Sequence, residues 1–232
     1  MKRIYLNICL LILCLNTLTL SKEKKDTYKP QKITLEPITH IYKHTNKLLL
    51  DDFDNKSFKK NWKTFGDLKS NIIINNKNKY KWLSKNALHL YGKKRKFFIG
   101  GIANFLKTDA STYKTLKISL INKSKKPFQL KIELYDDDNN NHVIELNKTL
   151  PYLPSHDDKF VYDQTISKKG LNILYIPLNL FIDMNPMVGD NKWNPNHKNK
   201  SGGLIQAQFI FIQEEEHAEI DIEIDNIKLL KK

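Results

Sequence analysis

The chain has 232 residues, of which 40% are hydrophobic and 10% aromatic, and its 39 basic against 25 acidic residues give a formal charge of +14. This length and composition predict one globular domain of ordinary size and exclude collagen-like, coiled-coil and multi-pass membrane proteins. Only Arg3 and Arg95 are arginines, whereas nucleic-acid recognition favours arginine for bidentate contacts. The charge therefore indicates a solvated lysine surface and no nucleic-acid partner.

Residues 1–21 have the pattern of an export signal. Lys2 and Arg3 precede an apolar stretch that is uninterrupted from Ile8 to Leu15 and that small or hydroxyl residues follow. The stretch is short for a membrane span of about 20 residues, and no second candidate follows it, so we expect no span after cleavage. Cleavage after Ser21 removes two positive charges, from +14 to +12, and predicts a periplasmic, cell-surface or secreted protein.

Both cysteines, Cys9 and Cys14, lie inside this predicted signal. The mature chain would have no thiol, which excludes disulfides, cysteine nucleophiles and thiolate zinc sites. The alternative is a lipoprotein that carries lipid on Cys14, although the bulky Leu13 stands where a small residue is usual.

N-terminal sequencing of the protein distinguishes these two forms. Because the signal pattern ends at Ser21, we expect a mature protein that begins at or near Lys22. A product that retains Met1, or that carries lipid on Cys14, would contradict the soluble secretory form.

Residues 22–46 and 47–232 differ in hydrophobic pattern. The first segment is rich in lysine and threonine, contains Pro30 and Pro37 and has no sustained period, which indicates an exposed tether. In the second, short apolar runs alternate with Asn, Asp, Lys, Gly or Pro clusters, which is typical of strands. Strands are predicted at residues 48–50, 72–74, 87–91, 96–105, 115–121, 128–135, 143–147, 171–176, 204–212 and 218–230. The pattern predicts an all-β fold, a two-sheet antiparallel β-sandwich of jelly-roll type.

The strand at residues 128–135 has the clearest alternation. Its apolar side chains fall on one face, and Gln129, Lys131, Glu133 and Tyr135 fall on the other. We therefore expect one buried and one solvent-exposed face.

The order of these motifs resembles the galactose-binding-like jelly rolls, of which carbohydrate-binding modules are the best-known members. The resemblance covers residues 48–230 and rests on LLLDDFDN followed by Trp62, on ALHLYG, FFIGGIANFL, YKTLKISLIN and FQLKIELYDDD, and on the closing LIQAQFIF and EIDIEIDNIKLL. An exported protein of this composition with the same sandwich also resembles the sheath proteins of periplasmic flagellar filaments, the FlaA family, which would imply a structural role among envelope or flagellar proteins. The segment WNPNHKNKSGGLIQAQ is more similar to the module family.

Acidic residues near the first and last predicted strands could meet in space, since these strands are commonly neighbours in such jelly rolls. Calcium takes six to eight oxygen ligands, which closely spaced carboxylates and carbonyls supply. The resemblance implies a structural calcium ion here, to which Asp52 and Asp225 correspond most directly. The alternative is that these acids cap loops and pair with lysines. The run DDDNNN at residues 136–141 lacks the central glycine of a helix-flanked calcium loop and is predicted to be a hairpin turn.

The polar and aromatic residues suggest a sugar site. Sugars present apolar C–H faces and many hydroxyls, so such a site combines an exposed aromatic plane with fixed amide and carboxylate partners. No nucleophile elbow, phosphate loop or dinucleotide fingerprint occurs in the sequence. We therefore predict a non-enzymatic protein that binds a polysaccharide or cell-envelope glycan. The alternative for each tryptophan is a core or loop anchor. The candidate ligand-binding residues are Trp82, Tyr91, Glu133, Tyr135, Trp193, Gln206 and Gln208.

Overall fold

The structure is a computed structural model that describes residues 46–55, 58–75, 83–198 and 200–231. The predicted export signal, nearly all of the predicted tether, and Trp82 lie outside these residues. The described residues contain twelve strands and two short helices, and none of their helices is long and apolar enough to cross a membrane. The helices are α1 (Phe58–Asn61) and a 3-10 turn at Leu178–Leu180. The strands are β1 (Lys47–Asp51), β2 (Trp62–Gly66), β3 (Lys69–Ile74), β4 (Asn86–Lys93), β5 (Phe98–Thr108), β6 (Thr115–Asn122), β7 (Phe128–Asp137), β8 (Asp158–Ile166), β9 (Gly170–Pro177), β10 (Ile182–Asp183), β11 (Gly203–Gln213) and β12 (Glu219–Leu230).

The strands form two antiparallel sheets that pack as a sandwich, which confirms the predicted fold class. The first sheet has the order β3-β4-β12-β6-β9, with β1 also paired to β12. The second sheet has the order β10-β8-β7-β11-β5-β2. The long strand β12 pairs with β1 and β4 along different stretches and with β6, so it lies at the centre of the first sheet.

The core lies between the two sheets and follows the predicted alternation in β7. Phe128, Leu130, Ile132 and Leu134 are at most 2% exposed, because successive side chains of a strand point to opposite faces. Burying each such side chain contributes about 1.5–3 kcal/mol. The same alternation places further buried residues on the neighbouring strand β11 and on the facing strands β6 and β12: Phe209, Phe211, Leu116, Ile118, Leu120, Ile220, Ile222 and Ile224.

Strands β2, β8 and β10 are not among the predicted strands. In β8, the inward Phe160 and Tyr162 alternate with Lys159 and Asp163, but the surrounding polar residues hide this short period in the sequence. Burial of Phe160 in the shared core, a tertiary effect, favours the strand here.

The predicted strand at residues 143–147 and the predicted hairpin turn at residues 136–141 are both wrong. Asp136 and Asp137 end β7, and the chain then takes residues 138–157 to reach β8. The Asp137 carboxylate accepts the backbone N–H groups of Asn139 and His142, which turns the chain away from the sheet. Val143 is 58% exposed, so it lacks the burial that a core strand needs. We call residues 138–157 the β7–β8 connection.

Candidate functional site

The second sheet has an outward face, formed by the side chains that point away from the core. On it, Tyr135 lies opposite Gln206 and Glu133 lies opposite Gln208, in the register of β7 and β11. The structure thus brings these four predicted ligand-binding residues together. Alternation along two adjacent strands placed them on one face, as the sequence indicated.

The predicted exposure of this group is wrong for most of its members. Glu133, Tyr135 and Gln206 are each 5% exposed. The reason is β8 and the β7–β8 connection: Lys159 Nζ lies 2.9 Å from Glu133 Oε2 and 3.3 Å from the carbonyl oxygen of Tyr152. These residues therefore form a covered polar layer, and Gln208 is half-buried.

A charged network fixes the Glu133 side chain. The Tyr135 hydroxyl donates to Glu133 Oε2 at 2.8 Å, and Lys131 Nζ lies 3.5 Å from Glu133 Oε1. Burial raises the pKa of Glu133, but Lys159 and Lys131 outweigh this effect and hold the pKa below its usual value. Burial and then the Glu133 charge raise the pKa of Tyr135. At neutral pH the site therefore holds a carboxylate and a protonated phenol.

The two glutamines form a second fixed pair on the outward face. Gln208 Nε2 donates to Gln206 Oε1 at 2.7 Å, which sets the orientation of both amides. Fixed amides are the partners that sugar hydroxyls use in a binding site.

Two exposed phenylalanines border this polar layer and were missed by the sequence predictions. Phe105 is 54% exposed and lies opposite Gln206. Phe65, which is 36% exposed, lies opposite Gly101. A Cβ atom at Gly101 would overlap the Phe65 ring, so the glycine allows the ring to lie against the sheet. Phe65 belongs to β2, which was not predicted, and the sequence indicated no face for Phe105.

The remaining candidates do not join this group. Trp193 packs edge to face on the core residue Phe160, with ring centroids 5.5 Å apart, which is the anchor role given above as its alternative. Tyr91 alternates with the core residues Leu88 and Leu90, so it lies on the opposite side of the sandwich. Trp82 lies outside the described residues.

Ser84 links the backbone of Asp52, directly after the first strand, to Asp225 of the last strand. Asp225 is 2% exposed, and Ser84 donates to both of its oxygens, from its hydroxyl and from its backbone N–H, at 2.7 Å each. The Ser84 hydroxyl is also 2.8 Å from the carbonyl oxygen of Asp52. Burial raises the pKa of Asp225, and the bonds from Ser84 oppose this rise.

Calcium at Asp52 and Asp225 stays a prediction. The carbonyl oxygen of Asp52 and the carboxylate of Asp225 are suitable hard ligands. Asn75 Nδ2 also lies 3.2 Å from Asp225 Oδ2, so both carboxylate oxygens already accept protein hydrogen bonds. A cation here would have to replace some of these donors.

Comparisons with known proteins show which solved structures have a similar fold. No protein-family model matches the chain, and no curated protein matches it by sequence. It is similar to a family 11 carbohydrate-binding module from Clostridium thermocellum solved with a β-1,3-1,4-mixed-linked tetrasaccharide, with a TM-score of 0.51 and 15% identity over 79% of this chain and 95% of that one. The solution structure of CtCBM11 has a TM-score of 0.50 and 14% identity over 79% of this chain and 94% of that one.

An exo-β-agarase structure has a TM-score of 0.50 and 14% identity over 78% of this chain and 24% of the agarase chain. At these identities the likeness shows a shared fold. The chain therefore has a β-sandwich of the kind found in carbohydrate-binding modules.

Proposed function

We propose that this protein is an exported, non-catalytic module that binds a polysaccharide or cell-envelope glycan on the outward face of the second sheet. The observation that carries the proposal is the position of Phe105 and Phe65, two exposed rings beside fixed polar groups. The fold shared with carbohydrate-binding modules supports it. The signal pattern of residues 1–21 supports export.

The spacing of the two rings suits an oligosaccharide. Gly101, against which Phe65 lies, and Phe105 are four residues apart on β5, which corresponds to about 13 Å along a strand. Aromatic rings stack on the apolar faces of sugars, and Gln208 can bond hydroxyls between them. The arrangement therefore favours a chain of several sugar units over a monosaccharide.

The charged network makes Glu133 a poor candidate for the general acid of a glycosidase. A glycosidase needs a carboxyl group with a raised pKa as its general acid. The pKa of Glu133 is instead lowered, since the lysines outweigh burial. Its carboxylate is held by Tyr135, Lys131 and Lys159, which suits a positioning role.

Removing the Phe105 ring should weaken glycan binding by at least tenfold. Affinity should be modest, with Kd between micromolar and millimolar and ΔG of about −8 to −4 kcal/mol, because hydroxyl–protein bonds replace hydroxyl–water bonds. Stacking of the aromatic rings on the sugar then supplies a large share of the binding free energy. A glycan array on the purified protein identifies the ligand, and titration calorimetry compares wild type with Phe105→Ala and Phe65→Ala.

Tyr175→Ala is the matched control. Tyr175 is 58% exposed and lies on β9 of the first sheet, away from the proposed site. Its removal should leave the affinity unchanged. Equal affinities for wild type and both phenylalanine variants would place glycan binding elsewhere.

The structural alternative predicts a continuous apolar surface for protein contact. On the outward face Lys63 lies opposite Ala103, between the positions of the two rings, and the charged pair Lys131 and Asp163 lies on β7 and β8, which favours a sugar ligand. If no glycan binds, and the protein co-purifies stoichiometrically with an envelope or flagellar structure, the structural role would replace our proposal.

A further inference from the structure

A second group of polar residues lies at the junction of β7, β8 and the loop between β10 and β11. Carboxylate oxygens of Asp138, Asp158 and Asp190 lie within 4.8 Å of one another. Asp136 at the end of β7 is the direct cross-strand partner of Asp158. We call these four residues the acidic cluster. Like charges placed opposite each other destabilise a sheet, so this arrangement needs a compensating interaction.

Buried carboxylate oxygens in the cluster have no hydrogen-bond partner. Asp136 and Asp158 are 0% exposed, and within the described part of the chain Oδ1 of each is buried without a partner. Their other oxygens accept the backbone N–H groups of Asn194 at 3.0 Å and Lys192 at 3.2 Å. An unsatisfied buried carboxylate oxygen is costly. These two oxygens therefore indicate a positively charged ligand.

The charges around the cluster are of the same sign. Asp136 lies directly opposite Asp158, and the carboxylates of Asp138 and Asp190 lie close to that of Asp158. Although the sequence holds 39 basic residues, the dominant neighbouring charges at both positions are carboxylates. A cation from solution would relieve this repulsion.

Gly189 closes one side of the cluster. Its φ angle of +67° is in the left-handed region, and a Cβ atom here would overlap carboxylate oxygens of Asp158 and Asp138. Only a residue without a side chain lets the backbone come this close to the two carboxylates. The loop between β10 and β11 thus folds against the ends of β7 and β8.

We propose that Asp138, Asp158 and Asp190 bind a calcium ion, with Asp136 beside them. The ligands are oxygens only, which suits a hard cation. Calcium ligands lie about 2.3–2.6 Å from the ion, so three oxygens that lie within 4.8 Å of one another can share one calcium ion. Magnesium prefers about 2.0–2.1 Å in a strict octahedron. The ion joins the β7–β8 connection to the loop between β10 and β11.

Thermal unfolding in chelator and in 10 mM calcium tests this site. Extracellular calcium sites have Kd values of about 10⁻⁴–10⁻³ M, so we expect calcium to raise the Tm of the wild type by roughly 5–10 °C. Asp158→Asn and Asp138→Asn should lose most of this rise. In chelator these variants should be as stable as the wild type or more so, because each removes one repelling charge.

This reversal separates a calcium ligand from an aspartate that only accepts hydrogen bonds. A structural aspartate would destabilise the protein equally in both conditions when replaced. Asp225→Asn is the control, because Asp225 belongs to the other candidate calcium site. This variant should keep the calcium-dependent increase in Tm that requires Asp158. The proposal is wrong if Asp158→Asn and Asp138→Asn keep the full rise, or if Asp225→Asn alone abolishes it.

Terbium luminescence gives a second readout that does not depend on stability. Trp193 adjoins Asn194, whose N–H bonds Asp136, so its indole should sensitise a bound terbium ion. We expect the wild type to show terbium emission that decreases when calcium is added. Asp158→Asn should show no such emission, and Trp193→Phe should show less of it. A wild type that binds terbium with unchanged emission in Asp158→Asn, or that shows no competition by calcium, would overturn the site.

Discussion

Replacing Glu133 with alanine should lower the free energy of unfolding by about 3–5 kcal/mol, as expected when one partner of a buried ion pair is removed. Glu133 and Lys159 are 5% and 6% exposed, and their charged atoms lie 2.9 Å apart. The variant also removes the acceptor of the Tyr135 hydroxyl. Urea unfolding of wild type and variant measures the difference.

Glu133→Gln is the matched control for charge. The amide oxygen still accepts the Tyr135 hydroxyl, but it no longer neutralises Lys159. The folded-state pKa of Glu133 is lowered, because the lysines outweigh burial. Its stabilising contribution is therefore complete above the unfolded-state value of about 4.3 and is lost as the pH falls through the lower folded-state value. The stability gap between wild type and Glu133→Gln should thus be widest near pH 7 and should narrow below about pH 4. A gap that does not change with pH would contradict the ion pair.

Asp225→Ala should lower the free energy of unfolding by about 1–3 kcal/mol, the cost of leaving a buried donor without its partner. It removes the acceptor of the Ser84 backbone N–H, whereas the Ser84 hydroxyl and Asn75 Nδ2 keep other carbonyl acceptors. Asp52→Ala should have a small effect in chelator, because that carboxylate accepts only the exposed N–H of Asp54 among the bonds described.

The same two variants test calcium at the first and last strands. If Asp225 holds an ion, as the resemblance implies, Asp225→Ala should lose more stability in millimolar calcium than in chelator, and Asp52→Ala should do so if the Asp52 carboxylate is also a ligand. Chemical unfolding in both conditions measures this difference. Equal losses would leave Asp225 as a hydrogen-bond acceptor for Ser84 and remove calcium from this site.

The sandwich could be predicted because its pattern is local. The inward positions of β7 alternate over residues 128–135, and hydrophobic burial gives this alternation directly. The shared outward face of Tyr135 and Gln206 also followed from alternation, whereas their direct pairing is seen only in the structure. Their burial could not be predicted, because it depends on Lys159 in the unpredicted β8 and on the position of Tyr152 in the β7–β8 connection.

The acidic cluster could not be predicted from the sequence either, because it also depends on long-range contacts. Asp136 and Asp138 stand in a conspicuous acidic run, but Asp158 and Asp190 are distant in sequence and come to them only through the β7–β8 register and the loop at Gly189. A run of acids predicts a polar turn when seen alone. Only the long-range pairing places Asp158 against it.

The position of β12 has a consequence for the order in which the sandwich is made. This strand is the last of the twelve, yet it pairs with β1, β4 and β6, and it joins Lys47 to Leu230. Until it emerges during synthesis, β4 and β6 each keep an unpaired edge in the first sheet, and folding that depends on such distant pairs is slow. The chain should therefore remain open and protease-sensitive until β12 has been synthesised.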